Sequence, residues 1–544
     1  MNIQHIFFFR PFKIALLVLL SVVMMIPANF ELSASTIKTF ILKQKPKKAK
    51  SKGKSSSKKG KSSKGKSSKK SRSSKKGKKS RKISSRSSRS TPAPTKPTIQ
   101  TTSGLEDIRS APQSSSLTSF ELISEERITS GLSYKVYQAT VGTNIHIAHV
   151  LAMDCANKAN DIKIVKGKDL VDGLEKLSTM VSRVNETSKI EKLIGAVNAN
   201  FWRAEDDTPI GPTVINGEIV EMNSYKKWTS GFFDKDNRLY IGNFDLTGKL
   251  DCSNGNKYQI SDVNFRKDSI GIVLYNEYAG KEIPFVKETD VTKELEQRLK
   301  SDSILRLVGD DTEDARSIEE LKRDILLSRQ ARKIDISTPK ILLRYLKTPA
   351  VNQETKCLVI DAVSEGTVPM PIHGCVVTFG KQYDIAELPK VGDTVVVKFA
   401  TSATAKVPFY NAVCGTPRLV RNGVAKHEAR EEGSRSTRFI DHPLPRTAIG
   451  TDKKQTVVYI AAIEPTKTTT GTKGVSLSTL SAIMAEIGCY NAMNLDGGGS
   501  TAMIVQNKNV LFPNSASTGR SISVGLGISI KNRVYSPKKT ASNK

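Results

Sequence analysis

The stretch Asn494-Leu495-Asp496-Gly497-Gly498-Gly499-Ser500-Thr501 constrains this chain more than any other. Three consecutive glycines would weaken an ordinary strand or helix, because glycine loses the most backbone entropy on ordering. Such a run fits a place where a ligand approaches the backbone or a turn needs positive φ. Upstream, Leu477, Leu480, Met484 and Ile487 recur at helical spacing, and Gly488 stands where a helix C-cap glycine belongs. Tyr490 to Leu495 reads as a short strand and Ala502 to Val505 as its return. The expected order is helix, strand, glycine turn, strand, with Asp496 delivered at a strand end beside a loop of bare backbone N–H groups. That arrangement suits an anionic or polyhydroxyl ligand. A glycine hairpin with a capping Asp fits the same spacing.

The surrounding sequence is rich in short strands. Tyr134 to Ala139, Asn144 to Met153 and Asp161 to Val165 lead to a helix-containing stretch over Gly173 to Ile194 and the strand Gly195 to Asn200. Short strands run on to about Val286 and resume from Ile341 to Phe399. Thr292 to Arg332 is charge-rich, with Leu295, Leu299, Ile318, Leu321, Ile325 and Leu326 at helical spacings, and reads as a helical insertion. Residues 421–444 are polar and basic and read as a loop. The fold class expected is α+β (mixed α/β), with largely antiparallel sheets, packed helices and the helical insertion at about 290–335.

The ends differ from this domain. Arg10 and Lys13 precede an apolar run from Ile14 to Ile26, followed by small residues, as in a secretory signal over residues 1–35. The run is short for a span of about 20 residues; an uncleaved anchor is the alternative. The chain is thus expected to be exported: secreted, periplasmic or cell-surface. Lys43 to Ser90 is almost wholly Lys, Ser, Arg and Gly without an acid, and supplies most of the net charge of +32. With no apolar surface to bury, it is expected to be disordered. It either attracts polyanions in a salt-dependent way or is a solvated spacer. Behind an export signal, the polyanion would be anionic cell-surface polymer or lipid headgroups. No specific nucleic acid is expected, because no aromatics interleave the charges to stack on bases. The tail and its Pro/Thr/Ser linker occupy residues 36–128, the folded domain 129–533, and a short basic tail 534–544. The six cysteines are far apart, with no CxxC, so no zinc cluster is expected; export permits disulfides, and buried thiols suit Cys375 and Cys489.

Several motifs resemble the phosphodiester glycosidase family, over roughly residues 130 to 530. Ala492 to Met503 (AMNLDGGGSTAM) resembles its glycine signature, and Pro445 to Gly450 its PRTAIG motif. Asn198-Ala199-Asn200-Phe201-Trp202, Gly211-Pro212 to Asn216-Gly217, Ile270 to Gly280, Val368 to Val377, Gly415 to Gly423 and Gly519-Arg520-Ser521-Ile522 are similar to further segments in the same order. Where the family carries a VDGR-like string this chain has Ile463-Glu464-Pro465-Thr466, so glutamate replaces aspartate and the arginine is gone. Asn200 stands where glycine is common.

The resemblance implies cleavage of a sugar-1-phosphodiester between anomeric carbon and oxygen. An ordinary glycosidase needs a second carboxyl to protonate its leaving group. A phosphate is already a good leaving group, so one carboxylate and arginines that hold the phosphate can suffice. Asp496 is the expected carboxylate, Glu464 a possible second one, and Arg446 and Arg520 the phosphate clamps. The N–H groups of Gly497, Gly498, Gly499 and Ser500 are candidates for phosphate or sugar oxygens. Asn198, Asn200, Thr447, Asn494, Ser500 and Thr501 are hydrogen-bonding candidates. The alternatives are that Arg446 is a structural ion-pair partner of Asp496, and that Asn494 satisfies backbone groups. His442 is either a proton shuttle or an inert loop residue, while His146 and His149 read as structural. Glu205-Asp206-Asp207 is a cation ligand set or an exposed acidic turn. No GxSxG elbow supports a Ser-His-Asp hydrolase, and no cofactor or metal is expected. The alternative functional class is a non-catalytic cell-envelope glycan- or polyanion-binding protein.

Overall fold

The computed structural model describes residues 117–203, 205–286, 291, 293–294, 317–468, 471–512 and 519–531. The signal or anchor segment, the Lys/Ser/Arg tail and the final basic tail lie outside the described residues.

Two antiparallel sheets carry the glycine signature and the PRTAIG motif. The first runs, in order, Ser119–Thr129, Leu132–Val141, Asn144–Asp154, Val457–Ile463, Thr447–Thr451, Asn491–Asn494, Arg418–Arg421 and Val424–Ala425. The second runs Lys508–Asn509, Met503–Val505, Glu191–Asn198, Val524–Lys531 and Asn160–Lys166. Strand alternation sends each sheet's side chains to two faces. Leu151, Met153, Ile449, Ile460, Ala462 and Met493 of the first sheet meet Ile164, Val197, Met503, Leu526 and Ile528 of the second in one core. The intervening residues Ala148, Val150, Ala448, Ala461 and Ile463 pack outward on the helix Leu477–Glu486. Val165, Leu193, Ala196 and Ile504 do the same with the helix Leu177–Thr187. The result is a helix–sheet–sheet–helix stack. Each buried Leu, Ile, Val or Met in it contributes about 1.5–3 kcal/mol over an exposed one.

A second core lies between a five-stranded sheet that contains Thr229–Asp234 and Phe409–Gly415 and an eight-stranded one built around Glu354–Val363 and Thr394–Thr401. In the latter, Val273–Tyr275 pairs with Gly374–Thr378, so two of the family-like middle segments are neighbours. Its edge pair, Asp262–Val263 with Val273–Tyr275, is parallel. The protein is therefore mostly antiparallel β, with helices laid on it. The described end of the charge-rich segment is the helix Ile318–Ile334, started by a capping box between Ser317 and Glu320.

Two readings need correction. Met503–Val505 is not the return of Asn491–Asn494. The two strands lie in different sheets, the first paired with Glu191–Asn198 and the second with Thr447–Thr451 and Arg418–Arg421. The glycine run is thus a bridge between sheets, and the hairpin reading falls with the return strand. Residues 421–444 are not a bare loop: they include Val424–Ala425 and the short helix Thr437–Asp441. All six cysteines are free thiols and five are buried, Cys375 and Cys489 among them as expected.

Candidate active site

Asp496 is placed by the stops and starts of four strands. The helix Leu477–Glu486 ends with Gly488 at φ 107°, where its N–H reaches the Ala485 carbonyl and that of Cys489 the Met484 carbonyl. The chain then turns into Asn491–Asn494. Leu495 N–H donates to the Thr447 carbonyl (2.9 Å), and Asp496 N–H to the Ala199 carbonyl of the other sheet (2.8 Å). Asn198, the last residue of Glu191–Asn198, closes the joint. Its Nδ2 donates to the Asp496 carbonyl (2.5 Å), and its Oδ1 accepts from Thr447 Oγ1 (2.7 Å) and Ala502 N–H (3.1 Å). Asn198 and Thr447, both buried, therefore hold the loop in place.

The Asp496 side chain is 8% exposed. Its Oδ1 accepts from Gly497 N–H (2.8 Å), and its Oδ2 lies 3.5 Å from Arg520 Nη2. Arg520 Nε donates to Ser500 Oγ (2.7 Å), and its guanidinium lies over the Trp202 ring at 5.7 Å. The structure thus brings together Asp496, Arg520 and Ser500, with an aromatic face behind the arginine.

The glycines serve this geometry in a different way from the one expected. Gly498 has φ 58°, and a Cβ on Gly497 would stand 2.9 Å from the Pro445 carbonyl oxygen. Both therefore favour glycine for backbone reasons. Most of their N–H groups are not bare: Gly497 donates to Asp496, Gly498 to the Pro445 carbonyl and Ser500 to the Gly497 carbonyl.

Arg446 departs furthest from its expected surroundings. It is 1% exposed and makes no ion pair with Asp496 or any other carboxylate among the described residues. Instead Nε donates to the Val475 carbonyl (3.1 Å) and Nη2 to those of Phe439 (2.7 Å) and His442 (3.3 Å), with the guanidinium over the Phe439 ring at 5.3 Å. Burial lowers its pKa to about 9. Its place is against Gly497, bracing the chain on either side of the PRTAIG strand.

Asn494 Nδ2 donates to the Thr416 and Leu495 carbonyls, and Asn200 Nδ2 to Thr213 Oγ1 (2.9 Å) and the Ile210 carbonyl. Both amides anchor backbone, yet the Oδ1 of each, with Thr501 Oγ1, is buried without a hydrogen-bond partner in the protein. Such orphaned acceptors ask for a donor. Asp206 caps Thr208 by two hydrogen bonds, as a turn residue does.

Glu464 sits at the end of Val457–Ile463 and reaches His149 rather than Asp496, with Oε2 3.6 Å from Nε2. His149 Nδ1 lies 2.6 Å from the Tyr134 hydroxyl, and the rings are stacked. The register Ala462↔His149 and Thr447↔Ala462 puts His149, Ala462 and Thr447 in one row across the inner face. His149, which the sequence left as a structural strand residue, therefore belongs to a polar Tyr134–His149–Glu464 group. Burial pushes the Tyr134 hydroxyl up to about 12, with Glu126 and Glu464 adding to it. Burial pushes His149 below its usual value, against the pull of Glu464, and pushes down His146 and His427 too. The unfolded chain takes up protons at these histidines near pH 6.5, and the folded chain only below that. Stability should then fall as the pH drops through the mid-6 range. Thermal melts between pH 8 and pH 5 should show this, with a shallower slope in His149→Gln; an equal slope would remove His149 from the effect.

Sequence reasoning missed Glu432. This buried carboxylate accepts from Thr229 Oγ1 (2.5 Å) and N–H, Thr416 Oγ1 (2.8 Å) and Arg418 N–H (2.7 Å), tying two loops beside the site together. Burial raises its pKa while these donors lower it. It is one of four acids in a segment read as a basic loop, and nothing in the sequence set it apart from the other three.

Residues 359–529 match the family model described as Phosphodiester glycosidase, and the resemblance read from the motifs holds over that span. The chain is 30% identical over 115 residues to N-acetylglucosamine-1-phosphodiester alpha-N-acetylglucosaminidase of Homo sapiens, and 28% over 114 residues to that of Bos taurus. Each match covers 20% of this chain and 21% of the relative, so the chain matches about a fifth of the length of these curated relatives. Among solved structures, a hypothetical protein from Synechocystis superposes with a TM-score of 0.51 at 16% identity, covering 75% of this chain and 64% of the other. That likeness concerns the fold alone.

Proposed function

We propose, from the phosphodiester glycosidase match of residues 359–529, that this chain is an exported hydrolase of sugar-1-phosphodiesters in surface or extracellular glycans. The observation that carries the reading is the Asp496–Arg520–Ser500 constellation, held on the glycine bridge between two sheets. In the reaction the bond from the anomeric carbon to the phosphate oxygen breaks, and its electron pair leaves with the phosphate. Water supplies the hydroxyl to the carbon, and its proton goes to solvent or to a basic group. Positive charge develops at the anomeric centre, where a carboxylate stabilises it. Asp496 is that carboxylate. Arg520, a quarter exposed on its side chain, offers its fork to the departing phosphate. Glu464, held near His149, is the second carboxylate. Arg446 contributes positive charge and the loop's shape. Asn200, Asn494 and Thr501 carry orphaned buried oxygens, which sugar hydroxyls reach once the loop opens. The export part of the reading rests on the Arg10–Ile26 pattern, and the basic tail is assigned to anionic polymer or lipid headgroups at the cell surface. Among the described residues no helix is long and apolar enough to cross a membrane.

The test is release of free sugar from UDP-GlcNAc or a GlcNAc-1-phosphodiester by the full chain. Turnover that depends on Asp496 is expected. No turnover on a broad panel of sugar-1-phosphodiesters, with glycan binding retained, would instead establish the non-catalytic binding protein.

A further inference from the structure

Next to Trp202 in sequence, Phe201 begins a wall of packed aromatic rings that the hydrolytic step leaves unused. Trp202, under the Arg520 guanidinium, is followed in sequence by no second indole until Trp228, and these are the two tryptophans of the chain. Phe201, the neighbour of Trp202, meets Trp228 edge-on at 5.2 Å and Phe439 at 6.2 Å, and Trp228 meets Tyr225 at 4.9 Å. All five rings are half-buried. Phe201, Trp202, Tyr225 and Trp228 belong to none of the hydrophobic clusters that make up the cores. Core packing does not explain them.

The rim of this wall is basic. Lys226, Lys227, Arg435 and Arg438 are exposed on the two segments that carry Tyr225, Trp228 and Phe439. Lys226 Nζ lies over the Tyr225 ring at 5.3 Å. Lys227, Arg435 and Arg438 make no ion pair among the described residues. Glu431 and Asp441 are the exposed acids of the same segments, so cations outnumber them. The two segments are fixed to each other: Glu432 bonds Thr229, and a Cβ on Gly433 would touch Lys226 at 3.4 Å. The wall is therefore prearranged, which lowers the ordering cost of binding.

We propose that this wall is a subsite for the continuation of the substrate beyond the scissile bond, with sugar faces on Trp228 and Tyr225 and a second phosphate among the rim cations. The substrate class is then a polymer of sugars joined by phosphodiesters, rather than an isolated sugar phosphodiester. Aromatic faces accept the C–H faces of pyranose rings, and forked or point cations accept phosphate, so alternating aromatics and cations match alternating sugars and phosphates. This inference rests on the reading that the Asp496 site cleaves sugar-1-phosphodiesters.

The experiment compares, on the full chain, a synthetic series of one to six GlcNAc-1-phosphate units whose terminal phosphate is capped as a methyl ester, so that every member, the single unit included, is a phosphodiester. The wild-type kcat/KM is expected to rise with length. Trp228→Ala should lose about tenfold on the longer members and leave the single-unit substrate within twofold, while Trp228→Tyr keeps a ring and most of the length effect. Arg438→Glu should reduce the length effect and steepen nothing at one unit. No length dependence in the wild type, or equal losses of Trp228→Ala at every length, would overturn the subsite. Calorimetry of the same series on Asp496→Asn reads affinity without turnover. A chain that binds longer members more tightly but cleaves none keeps the subsite and loses the hydrolase; one that cleaves a single unit with no gain in rate or affinity from length does the reverse.

Discussion

Asp496→Asn is expected to lower kcat on a sugar-1-phosphodiester by about 10²–10³-fold, the usual cost of about 2.7–4 kcal/mol for one electrostatic group aimed at developing charge. The substitution keeps Oδ1, which accepts from Gly497 N–H, and changes Oδ2, which faces Arg520 at 3.5 Å. The backbone N–H to the Ala199 carbonyl and the Asn198 bond to the Asp496 carbonyl involve no side-chain charge. Shape and placement of the loop should therefore survive, and the melting temperature should stay close to that of the wild type. Initial rates of sugar release, with a thermal melt of the same sample, decide it. Near-full activity, or unfolding of the variant, would make the carboxylate structural and end its assignment.

Local features were legible in the sequence and contacts distant in sequence were not. The helix Leu477–Glu486, its glycine stop and the strand Asn491–Asn494 followed from spacing and from one residue's backbone freedom. The proximity of Arg520 to Asp496 followed from a motif resemblance, not from spacing. What escaped depends on which strand pairs with which. A run of three apolar residues, Met503–Val505, looks the same whether it returns on its predecessor or joins Glu191–Asn198. Likewise, an amide N–H in a glycine loop looks free until the Pro445 carbonyl is found 2.8 Å from Gly498. His149 acquired Glu464 as a partner because Ala462, two residues before it, is the neighbour of His149 across the sheet. Trp228 and Phe439 lie far apart in the chain, yet both rings pack on Phe201.

The two arginines should separate in opposite directions. Arg446 satisfies three backbone carbonyls, of Val475, Phe439 and His442, from a position with 1% exposure. Lysine keeps the charge but carries one ammonium in place of the planar fork, so it cannot reach all three. Each buried group left unpaired costs about 1–3 kcal/mol, and Arg446→Lys should lose about 2 kcal/mol or more of stability on the same grounds. Activity should fall with it, on phosphodiesters and on any other cleaved glycoside alike, since Gly497 and Gly498 rest against Arg446 and Pro445. Arg520 is partly exposed, stacked on Trp202 and bonded to Ser500. Arg520→Lys should leave unfolding by urea almost unchanged and weaken phosphodiester substrates selectively, sparing a nitrophenyl glycoside if that is turned over. Equilibrium unfolding and paired kcat/KM values on the two substrate types distinguish the roles. An Arg446→Lys variant of wild-type stability that loses only phosphodiester activity would make Arg446 the clamp on the phosphate, and would require the loop to open far enough to admit it.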